Sequence, residues 1–79
     1  MLPRVEIYTK QDCGLCDQAK AVLARVRVEM PFELCEIDIE RDPALMEGFR
    51  TEIPVVFVGG RKAFKYHVDE SELRRRLAR

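Results

Sequence analysis

The chain has 79 residues, enough for one domain and too few for a second hydrophobic core. Its 14 basic and 14 acidic side chains cancel, which argues against a nucleic-acid or acidic-membrane partner. Hydrophobic residues make up 47% and charged residues 35%, a balance that excludes both a disordered chain and a membrane protein. No apolar run approaches about 18 residues, and Pro3 and Arg4 stand where a signal peptide would be apolar. We therefore expect one soluble, cytoplasmic domain over residues 1–79.

The first half of the chain alternates between strand-like and helix-like patterns. Residues 4–9 alternate polar with β-branched or aromatic side chains, which predicts a strand. A helix is predicted from about residue 13 to about residue 28, because its apolar residues recur at helical spacing. Residues 32–39 alternate again and predict a second strand.

A short helix and a buried strand are predicted next. Asp42 is a suitable helix cap and Pro43 is favoured in a first turn, so a helix begins there and ends before Thr51. Residues 55–58 form a continuous apolar run, which is typical of a strand covered on both faces.

A hairpin and a last helix complete the chain. The pair Gly59-Gly60 indicates a two-residue turn, and residues 62–66 alternate as a fourth strand. Asp69 and Glu72 have the spacing of a capping box at the start of the last helix, and Val68 and Leu73 that of a hydrophobic staple.

The order of these elements, β-α-β-α-β-β-α, predicts the topology. A strand, a crossover helix and a second strand make a right-handed parallel unit. The Gly-Gly turn then adds an antiparallel hairpin, and two helices can cover one face while one covers the other. The sequence therefore predicts a three-layer α/β/α sandwich around a four-stranded mixed sheet.

Cys13 and Cys16 form a Cys-Gly-Leu-Cys pair where the first strand gives way to the first helix. A cysteine at a helix start faces unpaired backbone N–H groups and the positive end of the helix dipole, and both favour its thiolate. Cys13 is thus placed to attack a disulfide and Cys16, one turn on, to displace the product, while Lys10 adds a positive charge nearby. Such a pair indicates redox or metal chemistry before a structural disulfide.

Four stretches of the sequence together resemble the glutaredoxin-like members of the thioredoxin superfamily: Ile7-Tyr8-Thr9-Lys10, Cys13-Gly14-Leu15-Cys16, Ile53-Pro54-Val55 and Gly59-Gly60. The resemblance covers almost the whole chain. It implies a thioredoxin-like fold and thiol–disulfide oxidoreductase activity, with Cys13 as nucleophile and Cys16 as resolving thiol. It also implies a cis-proline at Pro54 and, at Ile53, backbone groups for an extended substrate. The substrate-binding residues expected on this basis are Lys10, Gly14, Leu15, Ile53 and Pro54.

The chain departs from glutaredoxins around the expected glutathione site. Glutaredoxins usually carry Pro-Tyr between the cysteines, where this chain has Gly14-Leu15, and here an acid, Asp12, precedes the nucleophile. After the hairpin they carry a Gly-Gly-Cys-Asp-Asp stretch that holds the γ-glutamyl end of glutathione, whereas this chain has the bulky residues Phe64, Tyr66 and His67. We expect poor turnover with glutathione, and relatively better turnover with a thioredoxin-reductase-type donor.

Three further residues receive structural interpretations. Asp12 is expected to cap the first helix through the N–H of Gly14 or Leu15. Cys35 is interpreted as a small, buried or half-buried apolar residue, and His67 as a structural or solvated histidine.

Two classes of function stay open. The first is a monomeric oxidoreductase that reduces a disulfide-containing protein or a glutathione mixed disulfide, binds no cofactor or metal, and is itself reduced by a reductase. The second is a metal-binding protein, which holds zinc or a bridged iron–sulfur cluster through Cys13 and Cys16 without redox turnover. A brown protein would favour the cluster, and a colourless, zinc-free one would favour redox.

Overall fold

The computed structural model describes residues 1–78, and Arg79, the last residue of the predicted domain, lies outside the described residues. Helices and strands follow each other in the predicted order. They are β1 (Arg4–Thr9), α1 (Gly14–Glu29), β2 (Glu33–Asp38), a 3₁₀ helix (Ile39–Arg41), α2 (Pro43–Phe49), β3 (Val55–Val58), β4 (Arg61–Lys65) and α3 (Glu70–Leu77). The 3₁₀ helix was not predicted. Ile39 was predicted to end the second strand but lies in this helix. The helix begins there because the Asp38 side chain caps it, accepting a hydrogen bond from the Glu40 N–H at 2.9 Å.

The four strands form one mixed sheet in the order β2-β1-β3-β4. β1 and β2 are parallel and are joined by α1, while β3 runs antiparallel to β1 and β4 antiparallel to β3. The hairpin between β3 and β4 turns at Gly59 and Gly60, whose φ angles are 59° and 83°. Two successive positive φ angles suit the twist of a tight hairpin, and glycine adopts them without steric cost.

The larger hydrophobic core lies on the face of the sheet that α1 and α3 cover. Leu23 of α1 and Leu73 of α3 are both fully excluded from solvent. This larger core has ten buried members: Val5, Ile7, Ala19, Leu23, Val26, Phe32, Val56, Val58, Leu73 and Leu77. Burial of this much apolar surface is the main source of the domain's stability.

Charged contacts join α1 to α3 beside the larger core. Glu70 accepts from Arg25 at 3.1 Å and from Arg74 at 2.8 Å, and Arg74 also donates to Glu29 at 3.0 Å. The hydrogen bond from Arg74, and then that from Arg25, lowers the pKa of Glu70. The hydrogen bond to Glu29, followed by that to Glu70, raises the pKa of Arg74. Such exposed pairs contribute little stability.

The smaller hydrophobic core lies on the opposite face, under α2. Its buried members are Cys16, Ile39 and Ile53, and partly buried Tyr8, Cys13, Leu45, Met46 and Phe49 pack around them. The ring centroids of Tyr8 and Phe49 are 4.6 Å apart. The ring of Phe57 in β3 packs edge-on against Tyr8, with 5.4 Å between the ring centroids. Helices therefore cover both faces, two on one and one on the other, and the predicted three-layer sandwich is confirmed.

The boundaries of the last strand and the cap of the last helix differ in part from the prediction. β4 ends at Lys65, so Tyr66 lies outside it with a left-handed φ of 68°. Asp69 accepts from the Glu72 N–H at 2.9 Å, as expected of a cap. The Glu72 carboxylate, however, binds Arg75 and Arg76, so the reciprocal half of the capping box does not form in the described chain. Two guanidinium groups within a turn give stronger, charge-assisted hydrogen bonds than one backbone N–H.

None of the helices within residues 1–78 has the length and apolarity needed to cross a bilayer.

Candidate active site

Cys13 is the N-terminal cap of α1. Its backbone is extended, with φ −120° and ψ 103°, and its sulfur accepts a hydrogen bond from the N–H of Cys16 at 3.2 Å. Cysteine thereby takes the position that Ser, Thr, Asp or Asn usually occupies at a helix start. The sulfur lies at the positive end of the helix dipole with a backbone donor directed at it. This environment favours a thiolate once the cysteine is reduced.

Asp12 does not cap the helix, and that prediction was wrong. Asp12 is exposed, has a left-handed φ of 55°, and makes no hydrogen bond to Gly14 or Leu15 among the described residues. Aspartate tolerates this conformation better than most residues. The turn at Asp12 displaces the helix start by one residue, so that the capping position falls on Cys13.

Cys13 and Cys16 are joined in a disulfide, with their Cα atoms 5.2 Å apart. The two cysteines differ in exposure, because Cys13 is half-buried whereas Cys16 is fully buried beside Ile39 and Ile53. A substrate sulfur therefore has access to Cys13 and none to Cys16. The roles of Cys13 as nucleophile and Cys16 as resolving thiol require such a difference in exposure, and both roles stay predictions.

The peptide bond between Ile53 and Pro54 is cis, as the resemblance implies. Both residues are buried directly before β3, and Ile53 packs in the smaller core with Cys16. Within residues 1–78, no hydrogen bond uses the N–H or the C=O of Ile53. These two backbone groups are thus available to a chain that lies beside the cysteine pair.

The residues flanking Ile53 and Pro54 are held by polar contacts from the neighbouring hairpin. Lys62 of β4 donates to the Glu52 carboxylate at 2.7 Å. That hydrogen bond, with the charge of Lys62, lowers the pKa of Glu52. Tyr66 also contacts this segment. The sequence around Tyr66 did not indicate the contact, because it depends on the backbone turn after β4.

The other three predicted substrate-binding residues lie on the N-terminal side of the cysteine pair. Gly14 is exposed and Leu15 half-buried in the first turn of α1. A Cβ at Gly14 would meet no atom within 4 Å, so space does not require glycine there. Lys10 is exposed at the end of β1 and lines a shallow depression with Asp12 and Asp17. All three positions are close to Cys13 along the chain, and their binding role stays a prediction.

Phe64, Cys35 and His67 lie outside the arrangement around the cysteine pair. Phe64, one of the bulky residues after the hairpin, was also expected in the hydrophobic core, and it packs against the larger core, with the Arg76 guanidinium 6.0 Å from its ring centroid. Cys35 is half-buried on β2 opposite Glu6, and His67 is exposed, as interpreted from the sequence. Residues 1–78 bring no three His, Cys, Asp or Glu side chains together in a group that could hold a metal ion.

Solved structures share this architecture. The thioredoxin of Fasciola hepatica superposes with a TM-score of 0.63 at 20% identity, over 98% of this chain and 79% of that one. At this identity the likeness concerns the fold alone. The sheet order, the cysteine pair at a strand-to-helix junction and the cis-proline define a thioredoxin-fold protein.

Within that class, the chain belongs to the family of glutaredoxin-like domains (DUF836), whose model matches residues 4–78. It is 33% identical over 82 residues to an uncharacterized protein of Mycobacterium tuberculosis, covering 98% of this chain and 84% of that protein. It is also similar to an X-ray structure of a protein from X. campestris, with 31% identity, a TM-score of 0.78 and coverage of 94% and 95% of the two chains.

Proposed function

We propose that the domain is a thiol–disulfide oxidoreductase that reduces protein or mixed disulfides with the Cys13-Cys16 dithiol. The observation that carries the proposal is the position of the Cys13 sulfur. It caps α1 with the N–H of Cys16 at 3.2 Å, and the second sulfur is buried next to it. Membership of the glutaredoxin-like family supports the same activity.

The proposed reaction has two exchange steps. The Cys13 thiolate attacks one sulfur of the substrate disulfide, forms a mixed disulfide, and releases the other substrate sulfur as a thiolate, which takes up a proton. Cys16 then loses its proton and attacks the Cys13 sulfur, which releases the second substrate thiol. Two electrons have passed to the substrate, and the domain is left with the Cys13–Cys16 disulfide. The reaction requires no bound cofactor.

The free backbone groups of Ile53 favour an extended polypeptide as substrate. Its main chain would pair with the Ile53 N–H and C=O beside Pro54, as added strands pair in other peptide complexes. Gly14 and Leu15 would border the same groove from the start of α1. Lys10 would supply a positive charge at the end of β1.

A reductase or a protein dithiol is the proposed electron donor, acting on a monomer in a reducing cytoplasm. Glutathione carries two carboxylates and an ammonium group, so a specific site needs a cation, free N–H groups and an acid. Lys10 would supply the cation, and Asp69 and the start of α3 remain at the other end. The glycine pair of glutaredoxins is missing there, however, and the bulky side chains of Tyr66 and His67 are exposed in the loop after β4. We therefore propose that glutathione is a poor donor.

Trapping of the intermediate tests the proposed function. Cys13→Ser should lose all exchange, whereas Cys16→Ser should accumulate a mixed disulfide on Cys13, detected by mass spectrometry. Cys35→Ser is the matched control and should keep full activity, because Cys35 lies on β2 away from the pair. An adduct on Cys16 in the Cys13→Ser protein would reverse the roles of the two cysteines.

An assay with two reductants tests the donor. Turnover should be faster with thioredoxin reductase and NADPH than with glutathione and its reductase. Saturable dependence on glutathione that is lost in Lys10→Ala would contradict the proposal.

The metal-binding alternative is tested on the same purified protein. Zinc analysis and visible absorbance should both be negative for the oxidoreductase. Absorbance that appears with a dimer and disappears in Cys13→Ser would instead assign a bridged cluster.

A further inference from the structure

Tyr66, directly after β4, has an unusual backbone conformation for its residue type. Its φ is 68°, and within residues 1–78 only Asp12 shares a positive φ among the residues other than glycine. A bulky aromatic residue is unfavourable in this left-handed region, where glycine, asparagine and aspartate are preferred. The conformation therefore depends on contacts that Tyr66 makes with the rest of the domain.

Two hydrogen bonds connect Tyr66 to the segment before β3. Its N–H donates to the carbonyl of Pro54 at 2.8 Å, and its hydroxyl donates to the carbonyl of Thr51 at 2.8 Å. The two donors are separated by the length of the side chain. Tyr66 thus spans residues 51–54, with 38% of its surface exposed.

A third contact holds the same segment. The ammonium group of Lys62 lies 2.7 Å from the Glu52 carboxylate. Thr51, Glu52 and Pro54 are therefore each anchored to β4 or to the residue that follows it. Ile53 lies between these anchors, with its N–H and C=O unused within residues 1–78 and its side chain buried in the smaller core that also holds Cys16.

We propose that Tyr66 is a positioning residue for disulfide exchange. By holding Thr51 and Pro54, it fixes the backbone of Ile53 at the place where the main chain of a polypeptide substrate pairs beside Cys13. The inference rests on the proposed function and specifies its substrate class. Polypeptide disulfides depend on Tyr66, whereas small disulfides, which need only the Cys13 sulfur, do not.

Two substitutions separate the parts of this contact. Tyr66→Phe removes only the hydroxyl and its bond to Thr51. Tyr66→Gly also removes the ring, accepts a φ of 68° without a Cβ, and keeps the N–H that donates to Pro54. Tyr8→Phe is the matched control, since the Tyr8 hydroxyl makes no hydrogen bond to any described residue.

The rates are measured in single turnover with the fully reduced domain, so that no reductase is needed. One substrate is insulin, a polypeptide with disulfides, and the other is bis(2-hydroxyethyl) disulfide. Tyr66→Phe should raise the half-saturating insulin concentration about three- to tenfold, the range expected from one lost hydrogen bond, and Tyr66→Gly should raise it further. The maximal rate, the rate with the small disulfide and the alkylation of Cys13 by iodoacetamide should stay within about twofold of wild type.

Equal slowing with both disulfides would overturn the inference, because it would assign Tyr66 a general structural role. Unchanged half-saturation by insulin in both Tyr66 variants would overturn it as well. A wild-type domain that reduces neither disulfide would fail differently: it would reject the proposed function itself, and the positioning role with it.

Discussion

The two faces of the sheet differ in how they are packed and in what they carry. The face under α1 and α3 has ten buried residues in one core. Within residues 1–78, the smaller core under α2 has three buried members, and α2 itself contributes none of them. Yet it is the smaller core that holds both sulfurs of the candidate active site, since Cys16 is buried in it and Cys13 borders it.

This difference separates stability from reactivity within one small domain. The larger core packs α1 against the sheet, and the cysteine pair lies at the start of α1. The segment opposite the pair packs into the smaller core through Ile53 and is also held by polar contacts from β4 and Tyr66, which are individually weak. Substitutions should therefore affect folding on one face and exchange on the other.

The largest expected effect is on stability, from a leucine truncation in the larger core. Leu23→Ala should lower the free energy of unfolding by about 2–5 kcal/mol, because Leu23 is fully buried and would leave a cavity. The matched change Leu45→Ala on α2 should cost about 1 kcal/mol, since Leu45 is only half-buried. Urea denaturation of the reduced proteins measures both, and equal losses would mean that the two faces contribute alike.

A smaller stability effect should appear at Cys13. In the reduced domain, Cys13→Ala should destabilise by about 1 kcal/mol relative to Cys13→Ser, because serine is a good helix cap and alanine is not. Both variants should lack exchange activity. Equal melting temperatures of the two variants would show that the cap at residue 13 does not stabilise α1.

A change in reactivity without a change in stability is expected at Asp12. Asp12→Asn keeps a residue that tolerates the φ of 55° and removes a negative charge beside the Cys13 thiolate. Alkylation of reduced Cys13 should become at most a few-fold faster, with an unchanged melting temperature. Asp12→Gly is the control for the backbone and should behave alike. An unaltered alkylation rate in both would mean that the Asp12 charge does not act on the thiolate.

The smallest effect concerns pH. The pKa of Glu70 is lowered by Arg74 and Arg25, so its contribution to stability is present above the unfolded pKa of about 4.3 and is lost as pH falls through the folded value. Glu70→Gln should remove this part of the acid sensitivity, and added salt should reduce it in wild type. Glu52→Gln, on the side of the active site, removes the equivalent pair with Lys62. An acid unfolding profile unchanged by Glu70→Gln would show that the pairs between α1 and α3 contribute nothing.

The fold was predictable because its signals are local. Periodic apolar residues, the Asp42 cap before Pro43 and the Gly59-Gly60 turn each depend on a few neighbouring residues, and each is present in the structure. The position of Cys13 at a helix start was predictable for the same reason.

The errors and omissions depend on backbone turns that local patterns do not encode. Asp12 and Tyr66 adopt left-handed conformations, which neither residue type predicts. Because of the left-handed turn at Asp12, the helix cap is Cys13 and not Asp12. The left-handed turn at Tyr66 places its hydroxyl at the carbonyl of Thr51, 15 residues earlier in the chain. No periodicity in the sequence indicates such a contact.

For the proposed reaction, the unequal exposure of the two sulfurs has a kinetic consequence. Because Cys16 is fully buried, the proposed substrate and the agent that restores the dithiol would both have to react at the sulfur of Cys13. The two partners would therefore compete for one atom and could not be engaged at the same time. Such a cycle follows double-displacement kinetics. Double-reciprocal plots of rate against the concentration of one partner, recorded at several fixed concentrations of the other, should be parallel lines.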